Sequence, residues 1–183
     1  MTKSTPTALA IVLFALGLAG NQTAGATTYL FSATLNQAQD VPPPAHSFPL
    51  AHGSGTLLYD DALATDNVFW DLNFDFLSGA PTMAHIHDGA PSTAGPVVID
   101  LGAFFPKLIT GFGYYTSVGF LPATFKADLL ANNLYFNIHT VLNPAGEIRG
   151  QLILHSVLVP LPAAGLLFAS GCGLLGWRRK TSV

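Results

Sequence analysis

The chain has 183 residues, half of them hydrophobic and only 9% charged, with a formal net charge of −3. That length holds one domain plus processing segments, and between Thr27 and Pro160 only Lys107, Lys126 and Arg149 oppose ten acidic residues, a local charge of −7. So acidic a body is poorly suited to displacing the counterions of a phosphate backbone, which argues against nucleic acid as a partner, and with Cys172 as the single cysteine an intramolecular disulfide is excluded.

Residues 1–26 carry one cation, Lys3, then an uncharged run from Ala8 to Ala19, then Asn21-Gln22-Thr23 and the small triplet Ala24-Gly25-Ala26. That order predicts a secretory signal peptide cut by signal peptidase after Ala26, since the run is short for a membrane span and small side chains suit the peptidase. Export without disulfides suits a bacterial envelope protein.

From Thr28 the dominant period is two. Tyr29, Phe31, Ala33 and Leu35 share one face; in Asn67 to Leu77, Val68, Trp70, Leu72, Phe74 and Phe76 alternate with polar residues. Further strands are expected over Ser54 to Tyr59, Ala84 to His87, Pro96 to Leu101, Tyr114 to Phe120, Leu134 to Thr140 and Glu147 to His155. About eight short strands separated by Gly, Pro and Asp predict an all-β fold, an antiparallel Greek-key-like sandwich or barrel. Gln37 to Gly53, with Pro42, Pro43, Pro44 and Pro49, is expected to be a long extended loop. Pro122 to Asn133 spaces Phe125, Leu129 and Leu130 as one short helix, with Thr124 as its cap and Asn132-Asn133 at its end.

After His155 the composition changes. Val157 to Trp177 is uncharged and stops at Arg178, Arg179 and Lys180, and Pro160 and Pro162 confine an apolar helix to about Ala163 to Trp177, short for a bilayer. Val159-Pro160-Leu161-Pro162, the apolar run and the basic end together resemble a PEP-CTERM sorting signal, with Leu161 where that family most often has Glu. The resemblance implies an exosortase as processing partner, transient residence in the inner membrane of a Gram-negative bacterium, and delivery to the cell surface or exopolysaccharide matrix. An ordinary C-terminal anchor is the other reading. The expected domains are thus 1–26, 27–155 and 156–183.

Chemistry concentrates on three histidines. In Ala84-His85-Ile86-His87-Asp88-Gly89 the two imidazoles lie two apart on a strand and project from one face while Ile86 enters the core. His139 ends the strand Leu134 to Thr140 on its polar side with Tyr135 and Asn137. If the strands meet, the three converge into a set suited to Cu or Zn; otherwise they are polar surface, or hydrogen-bonded to backbone at a loop mouth. Glu147 and Arg149 also share a face, placed to form an exposed ion pair after the turn Asn143-Pro144-Ala145-Gly146, where Pro sets φ and Gly supplies a positive one. Asp60, Asp61 and Asp66 offer a weaker cation site or a solvated turn. Phe104-Phe105 and Tyr114-Tyr115 offer sugar-stacking platforms or core. No complete catalytic constellation is present, so a non-catalytic module is expected.

Phe31-Ser32-Ala33-Thr34-Leu35, Asp40-Val41-Pro42-Pro43, Gly53-Ser54-Gly55, Ala84 to Gly89, Gly95-Pro96-Val97-Val98, Tyr135 to Thr140 and Asn143 to Leu152 occur in the order and spacing of the chordin-type CHRD domain. The chain resembles that family over about Tyr29 to Leu154. The resemblance implies an all-β extracellular binding or structural module, whose partner here would be exopolysaccharide or another surface protein. Leu134 to Leu154 is the densest part, with Leu134, Phe136, Ile138, Ile148, Leu152 and Leu154 expected inward and Asn137, His139, Glu147 and Arg149 left for function. A looser similarity links His85, His87 and His139 to copper/zinc superoxide dismutases, which also place a His-X-His strand early and a later strand His on a β-sandwich. It implies a metal or redox protein, although Asp88 to Gly95 lacks the histidines that supply the zinc site there.

Overall fold

Among the residues described by the computed structural model, 27–103 and 113–159, nine antiparallel strands and one short helix follow from the alternating pattern. The strands are β1 (Thr28–Asn36), β2 (His52–Asp60), β3 (Val68–Asp75), β4 (Pro81–Asp88), β5 (Val97–Ala103), β6 (Gly113–Gly119), β7 (Leu134–Thr140), β8 (Ile148–Gln151) and β9 (Ile153–Leu158), with α1 (Lys126–Leu130) before β7. The segment expected as a signal peptide, Phe104-Phe105, and the tail from Pro160 through Leu161 and Pro162 to Arg178, Arg179 and Lys180 lie outside the described residues, of which Val159 is the last. No helix among the described residues is long and apolar enough to cross a membrane.

All pairings join one curled sheet in the order β5-β4-β7-β8-β1-β2-β3-β6, with β9 also on β1. The strand expected from Glu147 to His155 is instead split at Leu152. Its first half pairs with β7 and its second with β1, so this one segment turns the corner between two wings of the sheet. The wings close on each other. A Cβ on Gly55 of β2 would lie 2.8 Å from Leu72 and 2.9 Å from Phe136 of β7, so only glycine fits between the layers there. Phe31, Leu35, Leu72, Phe74, Ile86, Phe136, Ile138 and Ile148 fill the core between them, where each large side chain stabilises the fold by about 1.5–3 kcal/mol relative to exposure.

Three expectations need correction. Phe76 is 43% exposed, not inward. Its φ of 57° ends β3 and slips the alternation by one residue, so that Leu77 enters the core instead. Thr124 does not cap the helix: it lies within a 3-10 turn, Ala123–Phe125, that leads into α1 with no side-chain cap bond. Asn132 does end it, with φ 60°. The Pro-rich loop contains a 3-10 turn at Gln37–Gln39, where the Asn36 side chain accepts a bond from the Gln39 N–H, and β2 begins at His52.

A candidate metal centre within a buried polar layer

An alternating strand that buries one face should wet the other, yet every residue of β7 is buried. The cover is local. The loop after β1 lays Asp40 and His46 over this wing, and the loop 89–96 lays the carbonyls of Ala90, Thr93 and Gly95 over it. The outer face of β4, β7 and β8 is therefore a second, polar core.

At its centre the register sets His85 opposite Asn137, His87 opposite Tyr135 and His139 opposite Met83. One ring nitrogen from each of His85, His87 and His139 can be chosen so that all lie within 4.8 Å of one another. The closest pair is His85 Nδ1 and His139 Nε2 at 3.1 Å. Two backbone carbonyls fix the tautomers: His87 Nδ1–H donates to Gly95 O at 2.9 Å, and His139 Nδ1–H donates to Pro144 O at 3.0 Å. Each neutral ring therefore keeps its lone pair on Nε2. His87 Nε2 is buried and has no hydrogen-bond partner. His85 is the ring nearest solvent, its Nε2 3.8 Å from the exposed Asp100 carboxylate.

These rings are held in the form that ligates metal. Burial pushes all three histidines below their ordinary value, His139 to about 4, and the neighbouring charges of His85 and His87 push His139 the same way. Imidazole nitrogens bind a zinc ion at about 2.0–2.1 Å, which places ligand atoms some 3–4 Å apart, so the 4.8 Å span of the set has to shorten for all three to hold one ion. Three imidazoles with no thiolate and no inner carboxylate suit Cu or Zn and disfavour Ca or Mg.

Glu147 and Arg149 correct the expectation of an exposed ion pair. They are 0% and 1% exposed, and among the described residues no ion pair joins them. Arg149 donates to Thr93 O and Ala90 O at 2.9 Å each and to Gln151 Oε1 at 3.1 Å, and its guanidinium lies 3.5 Å over the Tyr135 ring. Tyr135 in turn stacks on His87, with centroids 5.0 Å apart. Arg149 thus ties the loop 89–96, and with it Gly95 O, to the wall behind His87. Glu147 accepts from Ser78 N at 2.5 Å, Ser78 Oγ at 2.8 Å and Thr140 Oγ1 at 2.6 Å, while Asn143 joins Ser78 to the carbonyl of His46. Truncation by Glu147→Ala leaves these buried donors unpaired, and urea unfolding is expected to register a loss of about 3 kcal/mol, with Glu147→Gln losing less.

Asn137 donates to Asp40 Oδ1 at 3.3 Å, leaving Asn137 Oδ1 and Asp40 Oδ2 buried without partners. A Cβ at Gly146 would collide with both, so only glycine fits there, and its φ of 138° meets the expected positive value in the turn. Burial raises Asp40 to about 6 against the opposing pull of the Val41 N–H and the Arg149 charge. Elsewhere, Asp61 accepts from the Thr27 N–H and pairs with Lys126 at 3.0 Å, so the Asp60, Asp61, Asp66 connection is a tethered turn and not a gathered cation site. Tyr114 is 58% exposed.

The shifts predict a pH dependence in the metal-free protein. Between the unfolded histidine value of 6.5 and about 4, the unfolded chain takes a proton that folded His139 refuses, so stability falls as pH drops, by about 3 kcal/mol over the full window. Asp40 acts oppositely, binding a proton in the folded state between about 6 and 3.8. These two largely offset each other, and His85 and His87 tip the balance toward loss. A lower urea midpoint at pH 5 than at pH 7 is expected; a higher one would contradict the assignment.

Fold and centre together define an all-β domain with three imidazoles gathered on the outer face of one wing. The CHRD domain family matches residues 31–152, two thirds of the chain, and the protein belongs to that family. Neither among curated proteins nor among solved structures is there a match.

Ser78 and Asp100 were not marked out by sequence reasoning, and Asp40, Thr140, Asn143 and Gln151 entered it only as pieces of the motifs, with no part in a site. A signal for some of them exists: the positions of β7 and β8 on the face opposite the apolar core, Tyr135, Asn137, His139, Arg149 and Gln151, hold no lysine, only side chains able to make directed hydrogen bonds.

Proposed function

We propose that this CHRD domain holds one copper or zinc ion through His85, His87 and His139 and serves as an exported binding or structural module rather than an enzyme. The observation that carries the reading is the pair of Nε2 lone pairs fixed by Gly95 O and Pro144 O, that of His139 3.1 Å from His85 Nδ1 and that of His87 buried without a partner, on three rings that each offer a nitrogen within 4.8 Å of the others. Backbone carbonyls behind ligating histidines are the usual means of orienting them. His85, through Nδ1, completes the set, with Asp100 beside its Nε2. Copper(II) binds such nitrogen ligands more tightly than zinc, so copper is favoured where both are present.

Export is supported by the order of charges and small residues in 1–26, and sorting by Val159 to Pro162 followed by the apolar run and Arg178, Arg179 and Lys180. On this reading signal peptidase and an exosortase process the chain in transit through the inner membrane, and its destination is the cell surface or exopolysaccharide matrix. A superoxide-dismutase-like redox role at the same three histidines is the second reading, favoured by the cluster itself.

Metal analysis after loading with Cu²⁺ or Zn²⁺ and exhaustive dialysis tests the centre: one ion per chain is expected, and His87→Ala should lose it. No bound metal, or retention by His87→Ala, overturns it. Cell fractionation tests export separately, and full-length protein confined to the cytoplasm overturns that part.

A further inference from the structure

On the other wing, β1, β2, β3 and β6 turn outward a face that includes none of His85, His87 and His139. Its register aligns Thr34, Ser54, Asn73 and Tyr114 in one row, with Thr56 and Asp71 adjacent in the next. No lysine or arginine occurs on these four strands. In their place the face carries hydroxyls and an amide in these two rows and, in a third, the exposed side chains of Leu58, Phe69 and Val118, a mixture that calls for an explanation.

The aromatic residues supply one. Tyr114 is 58% exposed, yet its hydroxyl donates to Asp71 Oδ2 at 2.6 Å, and Asn73 Nδ2 donates to Asp71 Oδ1 at 3.2 Å. The ring is thus tethered with its surface open, which lowers the entropy lost when something stacks on it. Phe69, 41% exposed, lies opposite Val118, four residues along β6 from Tyr114. At about 3.3 Å per residue the two rings are roughly 13 Å apart along the strands.

We propose that this face binds a neutral polysaccharide chain, with Tyr114 and Phe69 as stacking platforms and Asp71, Asn73 and the Ser/Thr rows as hydrogen-bonding partners for sugar hydroxyls. The chemistry selects this occupant. Pyranose rings present C–H faces to aromatic rings and hydroxyls to an amide or carboxylate. An acidic polymer finds no lysine or arginine on these strands, and an apolar protein surface would strand the hydroxyl rows without water. The spacing of the rings fits a chain of several sugars. The inference rests on the reading of the protein as one delivered to a polysaccharide matrix, and adds the surface that would meet it.

Native electrophoresis of the purified full chain through gels containing galactomannan, dextran, hydroxyethylcellulose or alginate tests it. Retardation by at least one neutral polymer and not by alginate is expected. Tyr114→Ala should weaken it about tenfold and Phe69→Ala measurably, while His87→Ala leaves it unchanged. Both aromatic side chains are exposed, so circular dichroism should show their variants folded. Migration unaffected by all three neutral polymers, retardation by alginate alone, or retardation indifferent to Tyr114→Ala would overturn the proposal, as would a dimer dissociated by Phe69→Asp, which would assign the face to a second copy. Because purified protein is used, failure here leaves delivery to the matrix to be judged by fractionation.

Discussion

Arg149→Ala is expected to destabilise the domain by about 3–5 kcal/mol, read as a fall in the urea midpoint at unchanged slope. The guanidinium is among the largest fully buried side chains in the domain and spends its donors on two carbonyls of the loop 89–96 and on Gln151. Hydrogen bonds to charged groups contribute about 1.5–3 kcal/mol each, though not additively. Burial and the Tyr135 stack would be lost as well. Arg149→Lys should recover only part of this, because an ammonium cannot span the carbonyls of Ala90 and Thr93 as a planar fork does. The same substitution should weaken metal binding about 10–100-fold without touching a ligand, since it loosens the loop whose Gly95 carbonyl orients His87. A loss of stability under about 1 kcal/mol would mean the loop is held by something else.

Metal should act in the opposite direction. Zinc or copper at a free concentration a hundred times its dissociation constant is expected to raise the unfolding free energy by about 2.7 kcal/mol, provided the unfolded chain does not compete for it. Chelation should reverse the gain, and His139→Ala should abolish it. That variant also removes a ring whose Nδ1 anchors the Pro144 carbonyl, so its metal-free stability has to be compared with that of the metal-free parent. An equal gain in parent and variant would place the ion at other histidines. His52 and His155 are exposed and open to adventitious metal.

The strands were legible because most of them bury one face. The period of two in β1, β2 and β3 passes directly into alternating burial. The pair His85 and His87 was legible for the same reason: alternation alone puts both on the face opposite Ile86. What alternation could not show is that the wet face would be covered. Asp40 reaches Asn137 across 97 residues of sequence, and the carbonyls that hold Arg149 come from 56 and 59 residues away. Contacts of that range depend on where a loop lies, which local patterning does not encode. Hence Glu147 and Arg149 read as a surface pair although each is buried with partners of its own. The split at Leu152 was hidden likewise. An uninterrupted apolar alternation looks the same whether a strand keeps one neighbour or changes from β7 to β1.

The gathering of three imidazoles on one ion is tested most directly by an anomalous diffraction map of crystals of the zinc- or copper-loaded protein, collected at the metal edge. The three-histidine centre predicts a single strong peak about 2.0–2.1 Å from His85 Nδ1, His87 Nε2 and His139 Nε2. A peak elsewhere, or no peak at the three rings in fully loaded protein, would contradict it.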